Sequence, residues 1–178
     1  LELTDAEALK KAGAAALSDD GCNVDNADLM RDALIRARGL HLPILSHCED
    51  TSMAGNRALN EGRVSRQLWM EGRPAIAEEI MVMRDAMLAE ETGAAVHICH
   101  VSTAKSVSII RSMKKKGVSI TCETCPQYFT LTEDEILTQG SLARVNPPLR
   151  TQKDVHGIVS GLRDGTIDAI ATDHAPHS

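Results

Sequence analysis

Ile167-Asp-Ala-Ile-Ala-Thr-Asp-His-Ala-Pro-His-Ser178 is the stretch from which the fold is read. The apolar run Ile167, Ala169, Ile170 and Ala171 reads as a strand, and it stops abruptly at Thr172, Asp173, His174, Ala175, Pro176 and His177. A strand that delivers an acid and two imidazoles to its C-terminal tip suits a parallel α/β protein. In such proteins the loops beyond the strand ends vary freely while the strands hold position.

Upstream, short apolar runs alternate with amphipathic ones. Residues 4–12 read as a helix capped by Thr4 with Glu7 as capping-box partner and Gly13 as its stop. Ala14 to Leu17 is a short strand ending at Ser18-Asp-Asp-Gly21, and residues 26–38 place Leu29, Met30, Ala33, Leu34 and Ala37 on one helical face. Leu42 to Ser46 is a buried strand that runs into His47-Cys-Glu-Asp50. Thr51 to Arg73 is polar and partly helical; with Pro74 in the first turn, Ala75 to Glu90 continues as a strong helix. Ala94 to Cys99 is a strand ending at His100, Ala104 to Lys116 a helix stopped by Gly117, and Val118 to Thr124 a strand closed by Pro126. An irregular region holding Asn146-Pro-Pro-Leu-Arg150 precedes a helix over residues 152–163 and the last strand over 167–171.

Continuous apolar strands alternating with helices form a parallel sheet covered by helices. The two architectures open to such a chain are a doubly wound sheet and a barrel. The Gly-rich phosphate loop that often marks the former is absent, with neither G-x-G-x-x-G nor G-x-x-x-x-G-K-[ST] present. A barrel of eight βα units takes about 250 residues, so this chain would carry about five of the eight.

The net charge of -6 argues against a nucleic-acid surface, and an aromatic content of 2% argues against base stacking. No apolar run has membrane-span length and no signal segment opens the chain, so a cytoplasmic protein is expected. The five cysteines read as buried reduced thiols; Cys122-Glu-Thr-Cys125 has redox or zinc-pair spacing without a second pair to support it.

The strand tips carry, in order, Asp19 and Asp20, His47, His100, Glu123, and Asp173 with His174 and His177. Alone, Asp20 before Gly21 suits a turn, either histidine suits a satisfied rim position, and Asp173 suits a helix cap. Jointly, two imidazoles and two carboxylates from successive strands form a donor set for zinc or manganese. His97 and His100, three apart in an extended run, point to opposite faces, with His100 at the mouth and His97 in a supporting or core role. His41 and His156 read as surface residues.

Ser18-Asp-Asp-Gly21, His47-Cys-Glu-Asp50, His97-Ile-Cys-His-Val-Ser-Thr103, Asn146-Pro-Pro-Leu-Arg150 and Ala171-Thr-Asp-His-Ala-Pro-His177 resemble the type I dihydroorotases of the amidohydrolase superfamily. The resemblance is collinear over nearly the whole chain. It implies a (β/α)8 TIM barrel of the metal-dependent hydrolase type, present here in part, from about strand 4 to strand 8. Residues 1–178 would then be one catalytic barrel domain, incomplete at both ends. The implied reaction is the reversible, zinc-dependent hydrolysis of dihydroorotate to N-carbamoyl-L-aspartate in pyrimidine biosynthesis.

By the resemblance, Asp20 bridges two zinc ions, His47 and His100 ligate one of them, and Asp173 is both metal ligand and catalytic acid/base. Asn146 and His177 contact the substrate. The family's strand-1 His-x-His and the upstream residues that hold the substrate carboxylate have no counterpart in these residues. Hydantoinases usually bridge their metals through a carboxylated lysine, and no lysine lies between Lys11 and Lys105. Allantoinase and a non-catalytic dihydroorotase-like partner of aspartate transcarbamoylase are the competing readings, and a homodimer is open. With strand edges and an apolar interior uncovered, the 178 residues alone are expected to associate and to lack dihydroorotase activity.

Overall fold

The computed structural model describes residues 3–19 and 23–175. In chain order the elements are α1 (Ala6–Lys11), β1 (Leu17–Ser18), α2 (Ala27–Gly39), β2 (Ile44–Ser46), α3 (Thr51–Ala54), β3 (Leu59–Asn60), α4 (Arg63–Gln67), β4 (Gly72–Arg73) and α5 (Ile76–Thr92). They continue with β5 (Val96–Ile98), α6 (Ala104–Lys115), β6 (Ile120–Thr124), α7 (Pro126–Thr130), α8 (Glu135–Gln139), a 3-10 turn (Gly140–Ala143), α9 (Gln152–Arg163) and β7 (Ala169–Ile170).

Five strands form one parallel sheet in the order β1-β2-β5-β6-β7, while β3 and β4 pair separately. Register aligns Leu17, Ile44, Val96 and Ile120 across the sheet, and one residue on it aligns Leu45, His97 and Thr121. Because strand side chains alternate, the first row faces the helices and the second faces away from them. The helix-facing core holds Ile44, Val96, Ile98, Ile120 and Cys122 against Leu34, Val82, Val107, Ile110 and Ile158. Each such buried aliphatic side chain contributes about 1.5–3 kcal/mol. The arrangement is an arc of a (β/α)8 barrel, with α2, α5, α6 and α9 on its outside.

The boundaries follow local chemistry. Asn26 caps α2 by accepting from Leu29 N at 2.9 Å, and Thr103 caps α6 by accepting from Ser106 N at 3.1 Å. Gly13 and Gly117 adopt φ of 99° and 85°, the left-handed stops expected after their helices.

Several expectations are corrected. Asp5, not Thr4, caps α1, because its carboxylate accepts from Ala8 N at 3.0 Å. The strand read over Ala14 to Leu17 is confined to Leu17–Ser18. Pro74 lies before the first turn of α5, where its carbonyl accepts from Ala77 N at 3.1 Å. Pro126 opens α7 as well as closing β6, so the region read as irregular contains two short helices and a 3-10 turn. Thr51 to Arg73 holds the β3–β4 pair in addition to helix, with Gly72 needed there because a Cβ would lie 2.2 Å from Glu61 Cα.

The α6–α9 contact depends on Gly157, where a Cβ would come within 2.7 Å of Ala104 Cα. Gly157→Ala is therefore expected to destabilise the fold by about 1–3 kcal/mol through overpacking. Denaturant unfolding checks this, and an unchanged midpoint would count against the close packing. Among the described residues no helix is long and apolar enough to cross a membrane.

Candidate metal centre

Hydrogen bonds from one strand tip to the next carry the chain onto a common rim. Asp19 N reaches Leu45 O at 3.4 Å, Cys99 N reaches Ser46 O at 3.0 Å, Val101 N reaches Glu123 O at 2.8 Å, and Ala171 N reaches Thr124 O at 3.0 Å. The rim thus presents Asp19, His47, His100 and the segment leading to Asp173. His100 has φ 35°, which takes it out of the alternation of β5 and turns it toward His47. The opposite-face expectation for His97 and His100 assumed an extended backbone through residue 100, and this turn is where it ceases to apply.

His47 Nδ1 and His100 Nε2 lie 2.7 Å apart, with ring centroids at 4.5 Å and planes at 70°. Two ring nitrogens from adjacent strands therefore converge on one point. The far side of His47 is held too, since its Nε2 is 3.7 Å from Glu49 Oε2 and 3.4 Å from Asn146 Nδ2. Arg73 Nη1 donates to Glu49 Oε1 at 2.6 Å and also to Asn146 Oδ1. Burial pushes the Glu49 carboxyl up, but His47 and Arg73 together outweigh it and leave the group below its usual range. An imidazole backed by a carboxylate on its second nitrogen is the arrangement that orients histidine toward a metal.

Asp19 fixes the backbone beneath this pair, accepting from His47 N at 2.8 Å and from Val24 N at 3.4 Å. Burial lifts its carboxyl above the ordinary value, and those two N–H groups oppose the lift.

Of the residues expected at the site, the structure brings together His47, His100 and Asn146. Asp173 is exposed at φ 47°, two residues beyond Ala171, whose N–H reaches Thr124 O at the end of β6. Asp20 and His177 lie outside the described residues. Burial pushes both Cys122 and Cys125 up to about 12, so neither is a ready thiolate.

Sequence reading missed Glu49, Arg73 and a buried polar network among the segments that follow the strands. In that network Arg150 Nε donates to Ser102 Oγ at 3.1 Å, and its Nη1 donates to Asn60 Oδ1 at 3.0 Å and to Arg73 O at 3.2 Å. Glu78 accepts from Ser102 N at 3.2 Å and Thr103 N at 3.1 Å, and lies 3.7 Å from Arg150 Nη2. Glu49 and Arg150 stood inside the quoted motifs, but nothing local to either pointed to partners so far away in sequence.

Residues 1–106 match the family model described as dihydro-orotase-like. The chain belongs to that family. It is 54% identical to the dihydroorotase of Pelobacter propionicus over 169 residues, covering 95% of this chain and 40% of the relative. It is 51% identical to the dihydroorotase of Acetivibrio thermocellus over 176 residues, covering 99% of this chain and 41% of the relative. This member of the dihydroorotase-like family thus spans about 40% of the length of the relatives it matches.

Solved structures share its fold. A D-hydantoinase from Bacillus sp. AR9 superposes with a TM-score of 0.82 at 22% identity, over 99% of this chain and 42% of that one. The dihydropyrimidinase of Brevibacillus agri gives 0.81 at 23% identity, over 100% of this chain and 42% of that one. The chain is therefore closer in sequence to the dihydroorotases than to the hydantoinases whose fold it shares.

Proposed function

We propose that this chain forms part of the barrel domain of a cytoplasmic, zinc-dependent dihydroorotase. The substrate pair would be dihydroorotate and N-carbamoyl-L-aspartate. The observation that carries the proposal is the convergence of His47 Nδ1 and His100 Nε2 at 2.7 Å on the strand rim of a dihydroorotase-like chain. Curated relatives named dihydroorotase at about half identity support this substrate over a hydantoin.

The residues present fit a metal. Two imidazoles with a carboxylate behind one of them form a donor set suited to zinc, with Asp20 and Asp173 as the expected oxygen ligands. When bound there, divalent ions supply Lewis acidity and bring the ionisation of a water molecule near neutrality.

The chain's own groups supply the remainder. Glu49 and Arg73 fix the His47 ring. Asp173, on an exposed turn at the same rim, is the carboxylate that would take the proton of the attacking water and hand it to the ring nitrogen as the amide opens. Asn146, hydrogen-bonded to Arg73, and His177 would hold the substrate.

Chelation of the complete polypeptide followed by zinc repletion tests the metal requirement. Hydrolysis of dihydroorotate should vanish on chelation and return with zinc, and His47→Ala or His100→Ala should prevent the return. Turnover that survives metal removal would overturn the reading.

A further inference from the structure

Just below the rim, on the face of the sheet turned away from the helices, His97, Cys99 and Glu123 place one donor atom each within 4.8 Å of one another. β5 supplies His97, with Cys99 two residues on; β6 supplies Glu123, two residues beyond the Thr121 that stands opposite His97 in the register. Thr121 Oγ1 engages His97 Nδ1 at 2.8 Å, and this leaves Nε2 toward Glu123 Oε2 at 3.4 Å. A histidine–glutamate ion pair would need no sulfur beside it and no clamp on the other ring nitrogen. Imidazole, thiolate and carboxylate on a triangle of this size, with an oriented histidine, are instead a donor set for a borderline-soft divalent ion.

We propose that His97, Cys99 and Glu123 bind one transition-metal ion of the zinc and cobalt class, separate from the His47–His100 pair. Binding forms a sulfur–metal bond at Cys99 as its S–H proton leaves to solvent, with His97 giving the Nε2 lone pair and Glu123 a carboxylate oxygen. The site does not depend on the substrate reading.

The test is titration of the metal-free complete polypeptide with cobalt(II) chloride, following the near-ultraviolet sulfur-to-cobalt charge-transfer absorption. Cys48, Cys122 and Cys125 are buried, whereas Cys99 is half-buried and is the cysteine that shares a donor cluster with His97 and Glu123. The band should saturate at one equivalent per chain and disappear in Cys99→Ser. Thr121→Val, which keeps all three ligands, should retain the band with cobalt affinity about 10–100-fold weaker. His47→Ala should keep it at full strength. Absence of the band from the parent protein would overturn the proposal, as would its persistence in Cys99→Ser, parental affinity in Thr121→Val, or its loss in His47→Ala.

Discussion

In the complete polypeptide, replacing Asp173 by Asn should lower kcat on dihydroorotate by at least about 100-fold while leaving most of the metal bound. Asp173 is exposed on the rim that carries His47 and His100, and in the proposed reaction its carboxylate moves a proton between water and the departing nitrogen. A positioned general base is worth about 10²–10⁴-fold. Asn is the informative substitution because Asp173 sits at φ 47°, a conformation that Asn tolerates and Ala resists. The chemical loss is thereby separated from backbone strain. Steady-state kinetics with metal analysis on the same sample decides the matter, and a variant with kcat within about 10-fold of the parent would remove Asp173 from its proposed role.

Replacing Arg150 by Met should cost about 3–5 kcal/mol of folding stability. Arg150 is 3% exposed and joins Ser102, Asn60, the Arg73 carbonyl and Glu78, so it ties α5, the loop after β5 and the β3–β4 pair to the Asn146–Arg150 segment. Met fills the volume but leaves Glu78, itself 4% exposed, as a buried carboxylate without its cation. Arg150→Lys should fall between the two, because an ammonium keeps the charge and loses the planar fork. Urea unfolding of the complete protein measures the series. A loss below about 1 kcal/mol for the Met variant would mean that the network behaves like a surface ion pair.

The fold was legible where the periodicity was strong. Residues 152–163 were read as the helix that α9 occupies, and Asn26, Gly13 and Gly117 mark helix ends that the sequence already punctuates. The parallel sheet followed from the apolar runs Leu42 to Ser46 and Ala94 to Cys99 between helices, within which β2 and β5 lie. The β3–β4 pair was not legible, because two-residue strands carry no period and Leu59 and Gly72 meet only through tertiary structure.

The site divides in the same way. His47, His100 and Asn146 were legible because they stand at strand ends or in a motif shared with a known family, and the structure brings them together. Glu49 lay in the quoted His47-Cys-Glu-Asp50 stretch without a role, since its value comes from Arg73, 24 residues away. Period-two alternation put His97 and His100 on opposite faces, and the positive φ at His100 defeats that reading. A sequence gives residue types at strand tips readily, but the side chain that stands behind each one depends on loops whose return is fixed by packing.

Selectivity among cyclic amides separates a dihydroorotase from a general cyclic amidohydrolase. The most direct measurement is kcat/KM of the zinc-loaded complete polypeptide on dihydroorotate, hydantoin and allantoin under one set of conditions. The polypeptide should prefer dihydroorotate by at least about 10⁴-fold, the discrimination expected of a site built to pair a polar group that the other two substrates lack. Comparable rates on hydantoin or allantoin would contradict it, and metal-loaded protein inert toward all three would assign the chain a non-catalytic role.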